Sequence, residues 1–318
     1  MFVDSFKVTF SAAAQIFILV AIGFFLVRRG ILKNEGLDAV SRLVIEVALP
    51  LLIFCQLVRD FSFSLYQNWW VFPLLSLAIT LAGLILGAAF CVFIKGGQYK
   101  LQFVNLVTFQ NSGYMPLALV AALLPKEKAD IMFIYIFLFL LGFNLVIWSL
   151  GVYALTFTRA KKFELGSIFS PPVIATIVSL GLIALGAQRF IPPTILKPLK
   201  MFGDCTLPLA LLVVGGNLAQ IQLGRIDKRA VILSALAKLV ILPLAGLALI
   251  LKFKLPELLG LLLLIELAVP SAMSLSVIIR HYKKEDLLIS QGIFVSHVLS
   301  LVTIPIFLSL YFTLGMVK

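Results

Sequence analysis

The apolar residues of this 318-residue chain come in long unbroken blocks rather than in the one-face stripes of a soluble helix. About 20 such residues, coiled as a helix, match the thickness of the bilayer hydrocarbon. A helix also satisfies its own backbone hydrogen bonds where no water is present. The blocks predict ten spans, near residues 8–27, 38–58, 69–94, 101–124, 130–157, 171–188, 199–220, 229–251, 256–279 and 286–314, joined by short loops. Composition agrees: 62% of residues are hydrophobic and 13% charged, about half the charge of a soluble domain. The expected class is an all-α, multi-pass membrane protein with the lipid bilayer as its solvent and no appended soluble domain. The first block, from about Val8 to Val27, is too long for a signal-peptide core and lacks a small-residue cleavage site after it, so it counts as a span.

The formal charge of +12 does not point to nucleic acid, because the basic residues are scattered in twos and threes over the loops and form no basic face. Fourteen Lys and Arg fall on the side of loops 1–2, 3–4, 5–6, 7–8 and 9–10, against ten on the side of the termini. That excess orients both termini away from the cytoplasm, in a plasma or inner membrane. Cys55, Cys91 and Cys205 sit in apolar segments without CxxC spacing and read as packing residues, neither disulfide-bonded nor metal-binding.

Short matches recur at one offset. Phe10-Ser11 returns as Phe169-Ser170, Leu49-Pro50-Leu51 as Leu207-Pro208-Leu209, and Lys126-Glu127 as Lys284-Glu285, with shifts of 158 or 159 residues. Each match is weak alone, but the three keep their order. They divide the chain into a first five-span repeat (1–157), a connector (158–170) and a second repeat (171–318). Five is odd, so the second repeat enters the membrane from the opposite side and is inverted.

The fourth span is interrupted by "FQNSGYMP" (109–116), and the same offset places the break of the ninth at "VPSAMS" (269–274). Non-helical backbone at mid-membrane is tolerable only beside protein, water or a ligand. Two oppositely oriented broken helices can cross there and present half-helix N-termini, a setting suited to an anion. The predicted binding residues are therefore Asn111, Ser112, Gly113, Pro116, Pro270 and Ser271, with Asn111 hydrogen-bonding the carboxylate of such an anion and backbone N–H groups near Gly113 and Ser271 assisting. Pro50, Pro208 and Pro243, taken singly, read as kinks.

Over nearly its whole length the chain resembles the auxin efflux carrier family. The resemblance rests on "SRLVIEVALPLLIFCQL" (41–57), "FQNSGYMPLAL", "FGDCTLPLALLVVGGNLA" (202–219), "AKLVILPL" (237–244) and "LAVPSAMSLSVII" (267–279), in that order and spacing. It implies the ten-helix fold of sodium/proton antiporters and bile acid symporters, with crossing fourth and ninth helices. It further implies elevator-like alternating access for mono- or dicarboxylates; a homodimer is compatible with it. The large central hydrophilic loop of the long plant carriers is missing, which resembles the compact microbial members.

Ionisable groups inside spans are functional candidates. Glu266 lies four residues before Pro270, facing the break. It either binds the coupling ion, a proton or sodium with Gln110 close by, or is held in a structural pair by Lys238. Lys238 in turn contacts the anion, pairs with Glu266 or snorkels to the interface. Arg42 and Glu46, spaced i,i+4, read as an interfacial pair, and Asp204 as an interfacial cap. His281 reads as solvated and His297 as packed and hydrogen-bonded. No phosphate-binding loop, metal-ligand cluster or nucleophile–base motif is present, so no enzyme and no cofactor are expected beyond that coupling ion. The expectation is a secondary transporter of small organic anions. An inorganic cation/proton antiporter and a membrane sensor on a transporter fold are the alternatives.

Overall fold

The computed structural model describes residues 2–151, 169–221, 228–281 and 287–315, and these are all-helical. Part of the predicted fifth span (152–157), most of the connector, and Lys284-Glu285 lie outside the described residues. Seven helical stretches are long and apolar enough to cross a membrane: Phe2–Arg28, Asn34–Asp60, Val71–Phe93, Lys126–Ser149, Pro193–Ala219, Lys228–Phe253 and Leu287–Gly315. The first of these is α1 (Phe2–Arg28), and the stretch Lys126–Ser149 contains α7 (Lys126–Val146).

The other three predicted blocks are shorter or broken. The sixth is α8 (Pro171–Ala184), opened by two prolines and closed before Gly186, whose φ of 66° few other residues adopt. The fourth splits into α5 (Gly97–Thr108) and α6 (Tyr114–Leu123). The ninth splits into α13 (Glu257–Ala268) and α14 (Ser274–His281).

Prolines shape several of the long stretches. In the second, α2 (Asn34–Leu43) passes through a π-helical turn, Val44–Ala48, into α3 (Leu49–Asp60), with Pro50 in the first turn of α3. In the eighth, α11 (Lys228–Leu236) passes through Ala237–Ile241 into α12 (Leu242–Phe253), with Pro243 placed likewise. Proline has no N–H for the carbonyl four residues back and crowds it, so the turn before it widens. A third π-helical turn, Ile147–Gly151, follows α7, and no proline accounts for it. Pro208 sits in the first turn of α10 (Thr206–Ala219), which follows α9 (Pro193–Gly203).

Between membrane helices, close packing replaces the hydrophobic drive, and small residues permit it. Helix α1 packs on α10 and on α15 (Leu287–Gly315). At Gly23 and Gly215 a Cβ would collide with backbone of the facing helix, so only glycine lets α1 and α10 approach this closely. Thr9 Oγ1 lies 2.8 Å from Ser309 Oγ, which sets the start of α1 beside the end of α15. Ile18, Phe25, Leu81 and Ile85 are exposed on the outer faces, as bilayer contact requires.

The far end of α3 is tied to the start of α7. Gln56 Nε2 donates to Asp60 Oδ2 (2.7 Å) and Asp130 Oδ1 (3.0 Å), and Arg59 pairs with Asp60 (2.6 Å) and Asp130 (3.4 Å). Arg42 and Glu46 form the expected pair at 3.1 Å on an exposed face. Asp204 caps nothing with its side chain; it pairs instead with Lys200 at 2.6 Å. All three cysteines are free, but Cys205 is exposed rather than packed, because it occupies the turn between α9 and α10.

Candidate functional site

The two breaks meet. Gln110 and Ser271 form an isolated antiparallel β-bridge. Asn111 N donates to Pro270 O (2.8 Å), and Ala272 N donates to Phe109 O (3.0 Å). Each interrupted helix thus supplies acceptors for N–H groups that the other break would leave unpaired in a medium without water. Ser271 is anchored further: its Oγ donates to Leu106 O (2.7 Å), and its N–H reaches Ser296 Oγ (3.3 Å).

Beside this junction lies a cavity of about 240 Å³. The first break supplies Gln110, Asn111, Ser112, Gly113 and Tyr114; the second supplies Ala272, Met273 and Ser274. The remaining wall comes from Ser41, Ile45 and Leu49, from Asn144, Ile147 and Trp148, from Ser170 and Pro172, and from Val213 and Asn217. Two of the three π-helical turns therefore border the cavity, and the third carries Lys238. Such turns often accompany functional sites because they re-aim side chains. Among the described residues, no Asp, Glu, Lys, Arg or His lines the cavity. Ser170 Oγ is buried without a protein partner among the described residues.

The candidate residues separate into two groups. Gln110, Asn111, Ser112 and Gly113 line the cavity, whereas Pro116, Pro270, Ser271, Lys238 and Glu266 do not. The Ser271 N–H is engaged by Ser296, so the second break reaches the cavity through Ala272 to Ser274 instead.

Lys238 and Glu266 are fully buried, which excludes the snorkelling reading for Lys238. No direct ion pair joins the two among the described residues. Gln110 stands in the arrangement: its Oε1 accepts from Lys238 Nζ at 3.5 Å. The Ser112 and Gln110 side chains, and the Lys238 charge, act on the Glu266 carboxylate, although no hydrogen bond of normal geometry reaches either of its oxygens. His297 is buried and bonded to Ile293 O and Asn111; the side chain of His281 lies outside the described residues. No group of three or more His, Cys, Asp or Glu is placed to hold a metal ion among the described residues.

The family model described as membrane transport protein matches residues 8–166 and 155–308. The chain belongs to the auxin efflux carrier family. That family consists of membrane transporters rather than enzymes, so this carrier is an integral multi-pass membrane transport protein. No curated protein matches the sequence.

Sequence reasoning passed over Asn144, Asn217, Ser41 and Ser170. Asn144 and Asn217 each stand alone among apolar neighbours ("LLGFNLVIW" and "VVGGNLA"), the same signal that singled out Lys238. In this carrier Gly215 and Gly216 bring neighbouring chain against α10, and Asn217 follows them at the cavity.

Proposed function

We propose that this carrier is a secondary active transporter of small organic anions, mono- or dicarboxylates, working by alternating access at the paired breaks. The observation that carries this reading is a cavity whose described lining is uncharged, bordered by the first turns of α6 and α14. The first amide hydrogens of a helix have no intrahelical acceptor, and they lie at the positive end of its dipole. A carboxylate fits such a setting, whereas a bare cation finds no counter-charge among the described lining residues.

The reading includes ten spans in two inverted repeats, 1–157 and 171–318, joined by the connector 158–170, with the fourth and ninth crossing. The β-bridge between the breaks supports that crossing, since it is the contact two oppositely directed broken helices make when they meet. It also includes termini outside the cytoplasm. Asn111, Ser112 and Gly113 contact the ligand. Glu266, next to Gln110 and Ser112, takes up the coupling ion, a proton or sodium. The buried Glu266 carboxylate is what speaks for the cation/proton antiporter, and its separation from the cavity lining is what speaks against it.

Thermal unfolding of the purified carrier with a panel of carboxylates, at acidic and neutral pH and with or without sodium, tests the proposal. A ligand of the folded state raises the midpoint with its occupancy. One acid is expected to do so, with the shift and the uptake both lost in Asn111→Ala while the unliganded midpoint stays near wild type. Stabilisation by sodium or pH alone, with every acid silent, would establish the cation reading instead.

A further inference from the structure

The carboxamide of Asn111 does not choose freely which of its ends meets a ligand. His297, on α15, places Nδ1 2.8 Å from Ile293 O. A carbonyl only accepts, so Nδ1 bears the proton, and in the neutral ring Nε2 is then an acceptor. Its partner at 3.3 Å is Nδ2 of Asn111. Both side chains are withdrawn from the outer surface, at 1% exposure for His297 and 6% for Asn111. Among the described residues, no donor reaches Asn111 Oδ1, the other end of a carboxamide whose residue lines the cavity.

We propose that His297 is a positioning residue: by holding Nδ2 of Asn111 it turns Oδ1 to the cavity as an acceptor, so the preferred ligand carries a neutral hydrogen-bond donor, a hydroxyl or N–H, beside its carboxylate. This rests on the anion reading above. An ionised carboxylate has no hydrogen to offer Oδ1 and is driven instead toward the positive ends of α6 and α14. The acceptor is left for a second group on the same molecule. An ammonium could fill that role chemically, but the described lining offers it no carboxylate once it is desolvated. Gln110, next in the chain, is held the opposite way round: its Oε1 accepts from Lys238, and its amide side acts on the Glu266 carboxylate. Neighbouring carboxamides are thus set in opposite senses by different buried partners.

Isothermal titration calorimetry on the full-length purified carrier decides the matter, with acids matched in skeleton: 2-hydroxybutyrate against butyrate and 2-aminobutyrate, and malate against succinate. The wild type is expected to bind one hydroxy acid about tenfold more tightly than its deoxy partner, the worth of one neutral hydrogen bond made to a waiting acceptor, with no such gain for the amino acid. In His297→Phe the preference collapses to about one while affinity for the deoxy acid stays within about twofold. His297→Gln, whose Oε1 can accept from Nδ2, restores it. A purely structural histidine would not produce that pattern of lost and rescued preference. Acids that bind the wild type without preference, or a preference that survives in folded His297→Phe, overturn the assignment and leave the anion reading standing. Wild-type protein that binds no acid overturns both. Should the Phe variant not fold, the wild-type ratio and the Gln variant carry the decision.

Discussion

The two breaks are bonded to each other residue for residue, yet they do different work. The first, 109–113, turns Gln110, Asn111, Ser112 and Gly113 toward the cavity. The second, 269–273, spends Pro270 and Ser271 on holding the junction together, through Asn111 N, Leu106 O and Ser296 Oγ. Matched position along the chain therefore gives a matched backbone, while Gln110 to Gly113 line the cavity and Pro270 and Ser271 hold the junction.

Four substitutions test that division. The largest effect is expected behind the first break. Lys238→Met leaves Glu266 without the nearby cation and should cost about 3–5 kcal/mol of stability, most of it recovered when Glu266→Gln is added. Equal unfolding midpoints for the single and double variants would show that the two groups do not compensate each other through Gln110. Next comes Ser271→Ala, which removes the bond to Leu106 O and should lower stability by about 1 kcal/mol while uptake per folded molecule persists. That is the reverse of Asn111→Ala, and a Ser271→Ala carrier that is stable but inactive would give the second break a ligand-facing role. Smaller again is Gly113→Ala. A Cβ there meets nothing within 4 Å and φ is −89°, so stability should hold within about 0.5 kcal/mol. Any loss of ligand affinity in that variant then reports contact with the cavity face. Last, Arg42→Ala removes an exposed i,i+4 pair with Glu46 and should change the unfolding free energy by less than about 0.5 kcal/mol. A larger loss would mean that the π-helical turn beside it depends on that pair.

Much of the site could be read from the chain because its signals are local. Pro270 and the run Gln110-Asn111-Ser112-Gly113 interrupt apolar blocks at positions matched by the repeat, and both breaks lie there. Lys238 and Glu266 announce themselves as charges inside spans. The limits were equally physical. Lys238 was left open between snorkelling, pairing and contact, since a four-carbon stem reaches all three, and only its enclosure by α11, α15 and their neighbours settles that it stays inside. Asn144 and Asn217 were missed because a single carboxamide in an apolar helix carries no mark of which face it occupies. The π-helical turns that re-aim Ile45 and Ile147 leave no composition signal of their own, although Pro50 and Pro243 flag two of the three.

What the amino-acid order determined by itself is the membrane class, the positions of the breaks and the presence of buried charge, because each depends on hydropathy or on proline and glycine acting within a few residues. What only the tertiary structure decided is which groups face one another. The Gln110–Ser271 bridge, the Asn111–His297 contact and the Lys238–Gln110 bond join residues far apart in the chain. Such partners are chosen by helix packing in three dimensions, where glycines such as Gly23 and Gly215 set how closely the backbones approach.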